Sequence, residues 1–258
     1  MKKRFADLIA GSGPRYGTWS QFASPEVVDV LAATGFNFTI IDTEHGFFGL
    51  ETGENLIRAC DAGGLVPLLR VPKNEAYMIM KALDAGAAGI VVPKIMNAAD
   101  VVAAVDAARY QPDGNRGACP CTRASDHLTL DWRGFAAKAN RETGVIPLIE
   151  TPEGVADFAR IVRVPGILAV LFGPFDLSVA MGHQGNFTHP EVIAALEGMA
   201  QEASVAGVPV IMPVFSPALD QAKAQIDRWQ EKGIRLFTVG TDKLLLADYC
   251  RRYLEGLR

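Results

Sequence analysis

The feature that most constrains this chain is a regular alternation between short apolar runs and longer helical patterns. Several runs, such as FTIID and LAVLF, are apolar throughout instead of alternating with polar residues. Such runs are typical of strands buried on both faces of a parallel sheet. The predicted strands are Tyr16–Ser20, Phe38–Asp42, Val66–Arg70, Gly89–Pro93, Val145–Glu150, Ala169–Phe172, Val208–Pro213 and Leu236–Gly240.

A helical pattern follows each of these runs within a chain of 258 residues. That arrangement predicts an α/β fold, a closed (β/α)8 TIM barrel. The alternative is an open doubly wound sheet, but the G-x-G-x-x-G fingerprint of its dinucleotide-binding members is missing from the sequence. Because no linker or shift in composition divides the chain, we expect a single domain spanning residues 1–258. The longest irregular stretch, residues 110–130, predicts a functional or subunit-contact loop.

Composition excludes several partners. A net charge of −4 gives no basic field for nucleic acid, and no apolar run reaches the roughly 18–20 residues of a membrane span. Lys2, Lys3 and Arg4 precede a short apolar stretch that Asp7 interrupts, which predicts an amphipathic helix rather than a signal peptide. The four cysteines form neither a C-x-x-C pair nor a zinc pattern, which indicates a reduced, cytoplasmic protein.

Polar side chains follow the predicted carboxyl ends of the strands. In a barrel these ends and the loops after them form the active site. We therefore expect one rim to gather carboxylates, a histidine and an arginine. In chain order these strand-end residues are Trp19, Asp42, Thr43, Glu44, His45, Arg70, Glu150, Asp176, Gly240, Thr241 and Asp242.

Glu150 and Asp176 follow strongly apolar strands that are neighbours in the predicted barrel. Two adjacent carboxylates repel each other unless a cation neutralises them or one is protonated. Oxygen ligands without nearby cysteine or histidine favour a hard ion such as Mg²⁺ or Mn²⁺. The alternative is that each carboxylate caps a helix or pairs with a surface lysine, but their occurrence at adjacent strand ends favours the metal site.

Arg70 and His45 are the candidate substrate-binding and proton-transfer groups. A guanidinium at a strand end suits a carboxylate or an enolate oxygen, although a structural ion pair with Asp42 or Glu44 is the alternative. Histidine titrates near neutrality, so His45, flanked by these acids, is a candidate general base.

Six segments in matching order and spacing resemble one enzyme family. They are IDTEHG (41–46), LLRVP around Arg70, LDAGAAGIVVPK (83–94), YQPDGNRG (110–117), LIETPEGV (148–155) and GPFDLSVAMG (173–182). Together they resemble the HpcH/HpaI aldolase family of metal-dependent class II pyruvate aldolases, typified by 4-hydroxy-2-oxoheptanedioate aldolase. The resemblance extends from about Phe5 to Leu254.

The resemblance implies a hexamer, a dimer of trimers with exchanged C-terminal helices. It also implies that Glu150 and Asp176 bind Mg²⁺, Mn²⁺ or Co²⁺, and that Arg70 stabilises the enolate. His45 would transfer protons through a metal-bound water, with Asp42 or Asp84 as its carboxylate partner. The expected substrate-binding residues are Trp19, Gly173, Pro174, Phe175 and Asp176, where the amides of Phe175 and Asp176 would hold the pyruvate carboxylate.

The implied activity is reversible cleavage of a 4-hydroxy-2-oxo acid to pyruvate or hydroxypyruvate and an aldehyde, of the kind found in aromatic-compound catabolism. One alternative is a citrate-lyase-like or malyl-CoA-lyase-like enzyme acting on an acyl thioester. Another is a barrel that binds a 2-oxo acid without turnover. A Schiff base on Lys94 is the competing chemical route.

The sequence departs from the family pattern at Leu148, Gln111 and Phe175 and in the segment ACPCTRASDH (118–127). All of these positions are expected near the acceptor aldehyde. The resemblance therefore leaves the identity of the aldehyde open.

Overall fold

The computed structural model describes residues 4–216 and 218–258. In these residues eight parallel strands close a barrel in chain order, so the predicted (β/α)8 barrel is confirmed and the open-sheet alternative is wrong. Every observed strand boundary lies within two residues of its predicted position. The strands are β1 (Arg15–Ser20), β2 (Phe38–Asp42), β3 (Val66–Arg70), β4 (Gly89–Val92), β5 (Val145–Ile149), β6 (Val170–Phe172), β7 (Val210–Val214) and β8 (Leu236–Thr241).

Helices cover the outside of the barrel. They are α1 (Phe5–Ile9), α2 (Pro25–Ala33), α3 (Leu50–Gly63), α4 (Ala76–Asp84), α5 (Ala98–Ala108), α6 (Trp132–Glu142), α7 (Pro152–Ala156), α8 (Phe158–Ile161), α9 (Pro174–Ala180), α10 (Pro190–Ala206), α11 (Leu219–Glu231) and α12 (Asp242–Gly256). In the ranges described, no helix combines the length and apolar character needed to cross a bilayer. Residues 1–3, with Lys2 and Lys3 of the predicted N-terminal helix, lie outside the described residues, so the domain extent 1–258 stays a prediction.

Helix α6 was not predicted from the sequence. The segment before it, residues 110–130, is irregular apart from a short 3-10 helix at Arg123–Ser125. Asp131 begins α6 by accepting a hydrogen bond from the Gly134 amide. Trp132 then packs edge-on against Tyr110, with ring centroids 4.8 Å apart. This aromatic contact joins the long loop to the barrel wall between β4 and β5.

The core has two layers. Inward-facing side chains such as Phe38, Leu68, Ile146 and Leu171 fill the barrel interior. A larger layer of aliphatic side chains packs between the strands and the surrounding helices. Because the interior is filled, polar groups at the carboxyl ends of the strands rest on a solid apolar floor.

Helix α12 leaves most of its apolar side chains exposed. Asp242 is its only buried residue. The exposed side chains are Leu245, Leu246, Tyr249, Tyr253, Leu254 and Leu257. A row of this kind marks a contact surface.

Candidate active site

A cavity of about 530 Å³ opens at the carboxyl ends of the strands. It brings together nearly all of the site residues predicted from the sequence. These are Trp19, His45, Arg70, Glu150, Gly173, Pro174, Phe175 and Asp176. Asp42 lies directly beneath the lining, whereas Asp84 lies outside it.

Arg70 is held by an ion pair that the barrel register creates. Asp42 at the end of β2 is the ladder partner of Arg70 at the end of β3. Arg70 Nε and Nη2 donate to the two carboxylate oxygens of Asp42 at 2.9 and 2.7 Å. The guanidinium also lies 4.5 Å from the ring centre of Trp19. The buried guanidinium therefore has one fixed orientation.

The third guanidinium nitrogen of Arg70, Nη1, makes a weaker contact than Nε and Nη2. Nη1 lies 3.0 Å from Glu44 Oε2, but this buried oxygen accepts no hydrogen bond from the residues described. The contact is thus an ion pair without hydrogen-bond geometry, and the Nη1 hydrogens can reach a substrate oxygen. The structural ion pair of Arg70 with Asp42 and Glu44, which we considered as an alternative, is present. It does not prevent Arg70 from also binding a substrate.

Asp42 acts as a fixed anion below the cavity. Besides Arg70, it accepts hydrogen bonds from Gln21 Nε2 and from the backbone amides of Glu44 and His45. Burial alone would raise the pKa of this carboxyl, but the Arg70 guanidinium together with the hydrogen bonds from Gln21 and the His45 amide holds the pKa below its ordinary value. Asp42 therefore stays ionised and orients both Arg70 and the turn that carries His45.

His45 lies on a tight turn and lines the cavity. The Gly46 amide closes the turn on the carbonyl of Asp42 at 3.0 Å, and a Cβ at Gly46 would lie 2.2 Å from that oxygen. Neither predicted carboxylate partner bonds the imidazole in the part of the chain described. Asp42 contacts only the backbone of His45, and Asp84 accepts from Arg116 Nη2 at 2.6 Å.

Glu150 follows β5 and is 6% exposed. Its Oε1 accepts a hydrogen bond from the Lys94 amide at 2.8 Å. Burial, with a smaller contribution from the nearby carboxylates of Asp176 and Glu44, raises the pKa of Glu150 to about 7. Without a positive charge beside it, this carboxyl is therefore only partly ionised at neutral pH.

Gly173 gives Glu150 the space that it occupies. The two residues lie side by side because the Gly173 amide donates to Ile149 O at 2.8 Å across the β5–β6 ladder. A Cβ at position 173 would lie 2.5 Å from the Cβ of Glu150 and 3.1 Å from its Oε2. A glycine is therefore required for Glu150 to point into the cavity.

Helix α9 starts at this glycine and carries Asp176 in its first turn. Its first intrahelical hydrogen bond runs from the Leu177 amide to Gly173 O at 3.0 Å. The amides of Phe175 and Asp176 come before that bond, so they have no partner within the helix. They are available to an anionic group in the cavity.

The donor set fits a hard divalent cation. Glu150 and Asp176 both line the cavity and supply carboxylate oxygens as possible ligands. Arg70 is the nearby positive charge, but Asp42 already neutralises it. Carboxylate oxygens of this kind suit Mg²⁺ or Mn²⁺.

A second cluster of possible ligands lies outside the cavity. His183, His189 and Glu191 bring their ligand atoms within 4.8 Å of one another. The two imidazoles are stacked, with centroids 3.6 Å apart and planes inclined by 17°. Because their nitrogen lone pairs run nearly parallel, they do not converge on one ion. His183 Nε2 lies 3.0 Å from Glu191 Oε2, so the cluster fixes the loop that follows α9.

Several cavity residues were not predicted. Gln21 and Phe215 each follow a strand by one residue, so extending the search past the strand end would have found them. Phe187 comes from the loop after α9 and Leu244 from α12, and no local signal marks either residue.

Of the positions that depart from the family pattern, some line the cavity and others lie away from it. Leu148 and Phe175 line the cavity as expected. Gln111 instead bonds Asn115, and neither it nor residues 118–127 line the cavity of their own chain. The side chain of Lys94 is exposed and is not part of the lining, so the Schiff-base route lacks a lysine there.

This fold and this cavity define a (β/α)8-barrel enzyme. Residues 15–247 match the family model described as HpcH/HpaI aldolase/citrate lyase. The chain belongs to this family, and it is a carbon–carbon lyase of the aldolase type.

Similar proteins are known at about 30% identity over nearly the whole chain. A 2-dehydro-3,6-dideoxy-6-sulfogluconate aldolase of Pseudomonas putida is 31% identical, over 94% of this chain and 92% of its own. A 5-keto-4-deoxy-D-glucarate aldolase of Enterobacter sp. (strain 638) is also 31% identical, over 93% of this chain and 90% of its own. The crystal structure of a family member from Burkholderia cenocepacia J2315 has a TM-score of 0.89 at 32% identity, covering 98% of both chains.

Proposed function

We propose that this chain is a divalent-metal-dependent aldolase that reversibly cleaves a 4-hydroxy-2-oxo acid to pyruvate, or hydroxypyruvate, and an aldehyde. The observation that carries the proposal is the pairing of an oriented guanidinium with two carboxylates in one cavity. Arg70, Glu150 and Asp176 all line this cavity. This arrangement suits a 2-oxo acid whose ketone oxygen becomes negatively charged during the reaction.

Glu150 and Asp176 would hold the ion, which when bound supplies Lewis-acid polarisation of the ketone. The amides of Phe175 and Asp176 bind the substrate carboxylate at the start of α9. Arg70 donates from Nη1 to the ketone oxygen and stabilises the enolate, while Asp42 and Trp19 keep the guanidinium in place. Because this geometry is already formed, little reorganisation is needed during the reaction.

His45 is the proposed proton-transfer residue. It is exposed at the cavity mouth, and its backbone is fixed by Asp42. In cleavage it accepts the proton of the C4 hydroxyl, and in condensation it returns that proton to the new alkoxide. Asp84 is paired with Arg116 in its own chain, so a role for Asp84 at His45 would require a neighbouring subunit.

The exposed apolar row of α12 supports a homo-oligomer with exchanged C-terminal helices, and we propose a hexamer. Exposed free cysteines at positions 119, 121 and 250 support a cytoplasmic location. The acyl-CoA alternative is less well supported, because Arg70 is the sole lysine or arginine among the described residues lining the cavity.

Exchange of the pyruvate methyl protons in deuterated water tests the enolate half of the reaction without any aldehyde. We expect exchange with Mn²⁺ or Mg²⁺, its loss on complete removal of metal with EDTA, and its recovery when metal is restored. Arg70→Ala should abolish the exchange. Exchange that survives metal removal, or that Arg70→Ala leaves intact, would overturn the mechanism.

A further inference from the structure

The cavity lining contains a polar group of residues and an apolar group. The polar group is Arg70, Glu150 and Asp176, where the 2-oxo acid binds if the proposed function holds. The apolar group, called the apolar wall, consists of Leu148, Phe175, Phe187, Phe215 and Leu244. The aldehyde lies against this wall because the 2-oxo acid occupies the polar group.

The wall offers no partner for a second charge on the substrate. Among the described lining residues Arg70 is the sole lysine or arginine, and it is bound to Asp42 and assigned to the ketone oxygen. A carboxylate carried by the aldehyde would leave water without gaining an ion pair, which is strongly unfavourable. The polar lining side chains Gln21 and Thr241 are already hydrogen-bonded to Asp42 and to the Leu244 amide. A chain of hydroxyl groups that lies against the phenylalanine and leucine side chains would therefore lose hydrogen bonds to water.

The wall is also held in place. The loop after α9 that carries Phe187 is closed by backbone hydrogen bonds, including His183 to Ser178 O at 2.7 Å. The stacked pair His183 and His189 fixes the same loop. Phe175 packs against this loop, since its ring lies 3.0 Å from the position that a Cβ on Gly185 would take. The two phenylalanines therefore form a preformed surface.

The geometry points to an acceptor aldehyde that is uncharged and carries an aryl or branched alkyl group. This inference rests on the proposed function and narrows its substrate class. The 530 Å³ cavity lies within the roughly 300–1,000 Å³ of small-molecule sites, so it accommodates a 2-oxo acid and a ring together. In condensation C3 of the 2-oxo acid loses a proton and bonds to the aldehyde carbon, and the aldehyde oxygen gains a proton. No oxidant or further reactant is needed.

Condensation with pyruvate and Mn²⁺ tests the inference when four aldehydes are compared by kcat/KM. The panel is benzaldehyde, isobutyraldehyde, glyceraldehyde and succinate semialdehyde. We expect benzaldehyde and isobutyraldehyde to exceed glyceraldehyde by about tenfold and succinate semialdehyde by about 100-fold. Glyceraldehyde should be slower because it makes fewer apolar contacts with the wall. Succinate semialdehyde should be slowest because its carboxylate has no partner there.

Two variants of one wall residue provide a matched pair. Phe215→Asn should lower the ratio of benzaldehyde to glyceraldehyde kcat/KM by about tenfold, whereas Phe215→Leu should keep it within about threefold. The ratio is unaffected by changes in the fraction of folded or metal-loaded enzyme, because both aldehydes are measured on the same preparation. Leu130→Ala is the control, since Leu130 is 93% exposed and outside the cavity.

Pyruvate proton exchange, measured on the wild type, distinguishes failure of the inference about the acceptor from failure of the proposed function. If exchange occurs but succinate semialdehyde or glyceraldehyde is preferred, the inference about the acceptor is overturned and the aldolase proposal stands. If the ratio is the same in Phe215→Asn and the wild type, the wall does not select the aldehyde. If no exchange occurs, the proposed function itself fails.

Discussion

Replacing Gly173 with alanine tests whether the proposed metal site depends on the close approach of Gly173 to Glu150. The added Cβ would lie 2.5 Å from the Cβ of Glu150, whereas ordinary contacts begin at 3.4 Å. The two residues must therefore move apart by about 0.9 Å. Both residues follow strands that the hydrogen bond from the Gly173 amide to Ile149 O joins. The added Cβ would therefore distort this β5–β6 pairing and displace Glu150. Overpacking of this kind costs about 1–3 kcal/mol of unfolding free energy.

The effect on metal binding should be larger than the effect on folding. A metal ligand must keep its distance to the ion within about 0.2 Å, and a displacement near 1 Å exceeds that tolerance. We expect the Kd for Mn²⁺, measured by calorimetric titration, to rise at least about tenfold. Gly198→Ala is the matched control, because Gly198 lies in α10 with no atom within 4 Å of an added Cβ. Wild-type Mn²⁺ affinity in folded Gly173→Ala would refute the reasoning.

Three further perturbations act on other parts of the site. Because the pKa of Glu150 is about 7 and metal binding must displace its proton, Mn²⁺ affinity should fall about tenfold from pH 8 to pH 6; equal affinities by calorimetry would contradict this assignment. Asp42→Asn should cost about 3–5 kcal/mol in denaturant unfolding because it leaves Arg70 without its buried partner. The pKa of Asp42 is lowered in the folded state, so this stabilisation is present above the ordinary carboxyl pKa and is lost as the pH falls through the lowered value. A stability difference between the two proteins that does not shrink in acid would rule out the ion pair as its source. His45→Ala should slow cleavage about 10²–10⁴-fold with unchanged metal affinity, and a retained rate would place the base elsewhere.

The position of the polar groups could be predicted because it depends on a local pattern. A strand buried on both faces is an uninterrupted apolar run, so its end is visible where the first polar residue appears. Arg70 and Glu150 were found in this way, and both line the cavity. The same rule, extended by one residue, reaches Gln21 and Phe215.

The partners of these groups could not be predicted, because they depend on distances across the barrel. Asp42 and Arg70 are 28 residues apart and meet through the register of β2 and β3. Asp84 was a candidate partner of His45, yet in its own chain it binds Arg116. Either aspartate was compatible with the sequence, since side-chain pairing is set by the packing of α4 and the long loop and not by spacing along the chain.

The sequence by itself determined the barrel and the rim on which the chemistry lies, since hydrophobic periodicity is a property of each segment alone. The tertiary structure decided the protonation and the orientation of the polar groups on this rim. Burial sets the pKa of Glu150, and an ion pair fixes Arg70. It also decided the acceptor side of the cavity, because Phe187 and Leu244 reach it from a loop and a helix with no signal of their own. In the proposed function, selectivity for the aldehyde would therefore depend on how these distant segments pack.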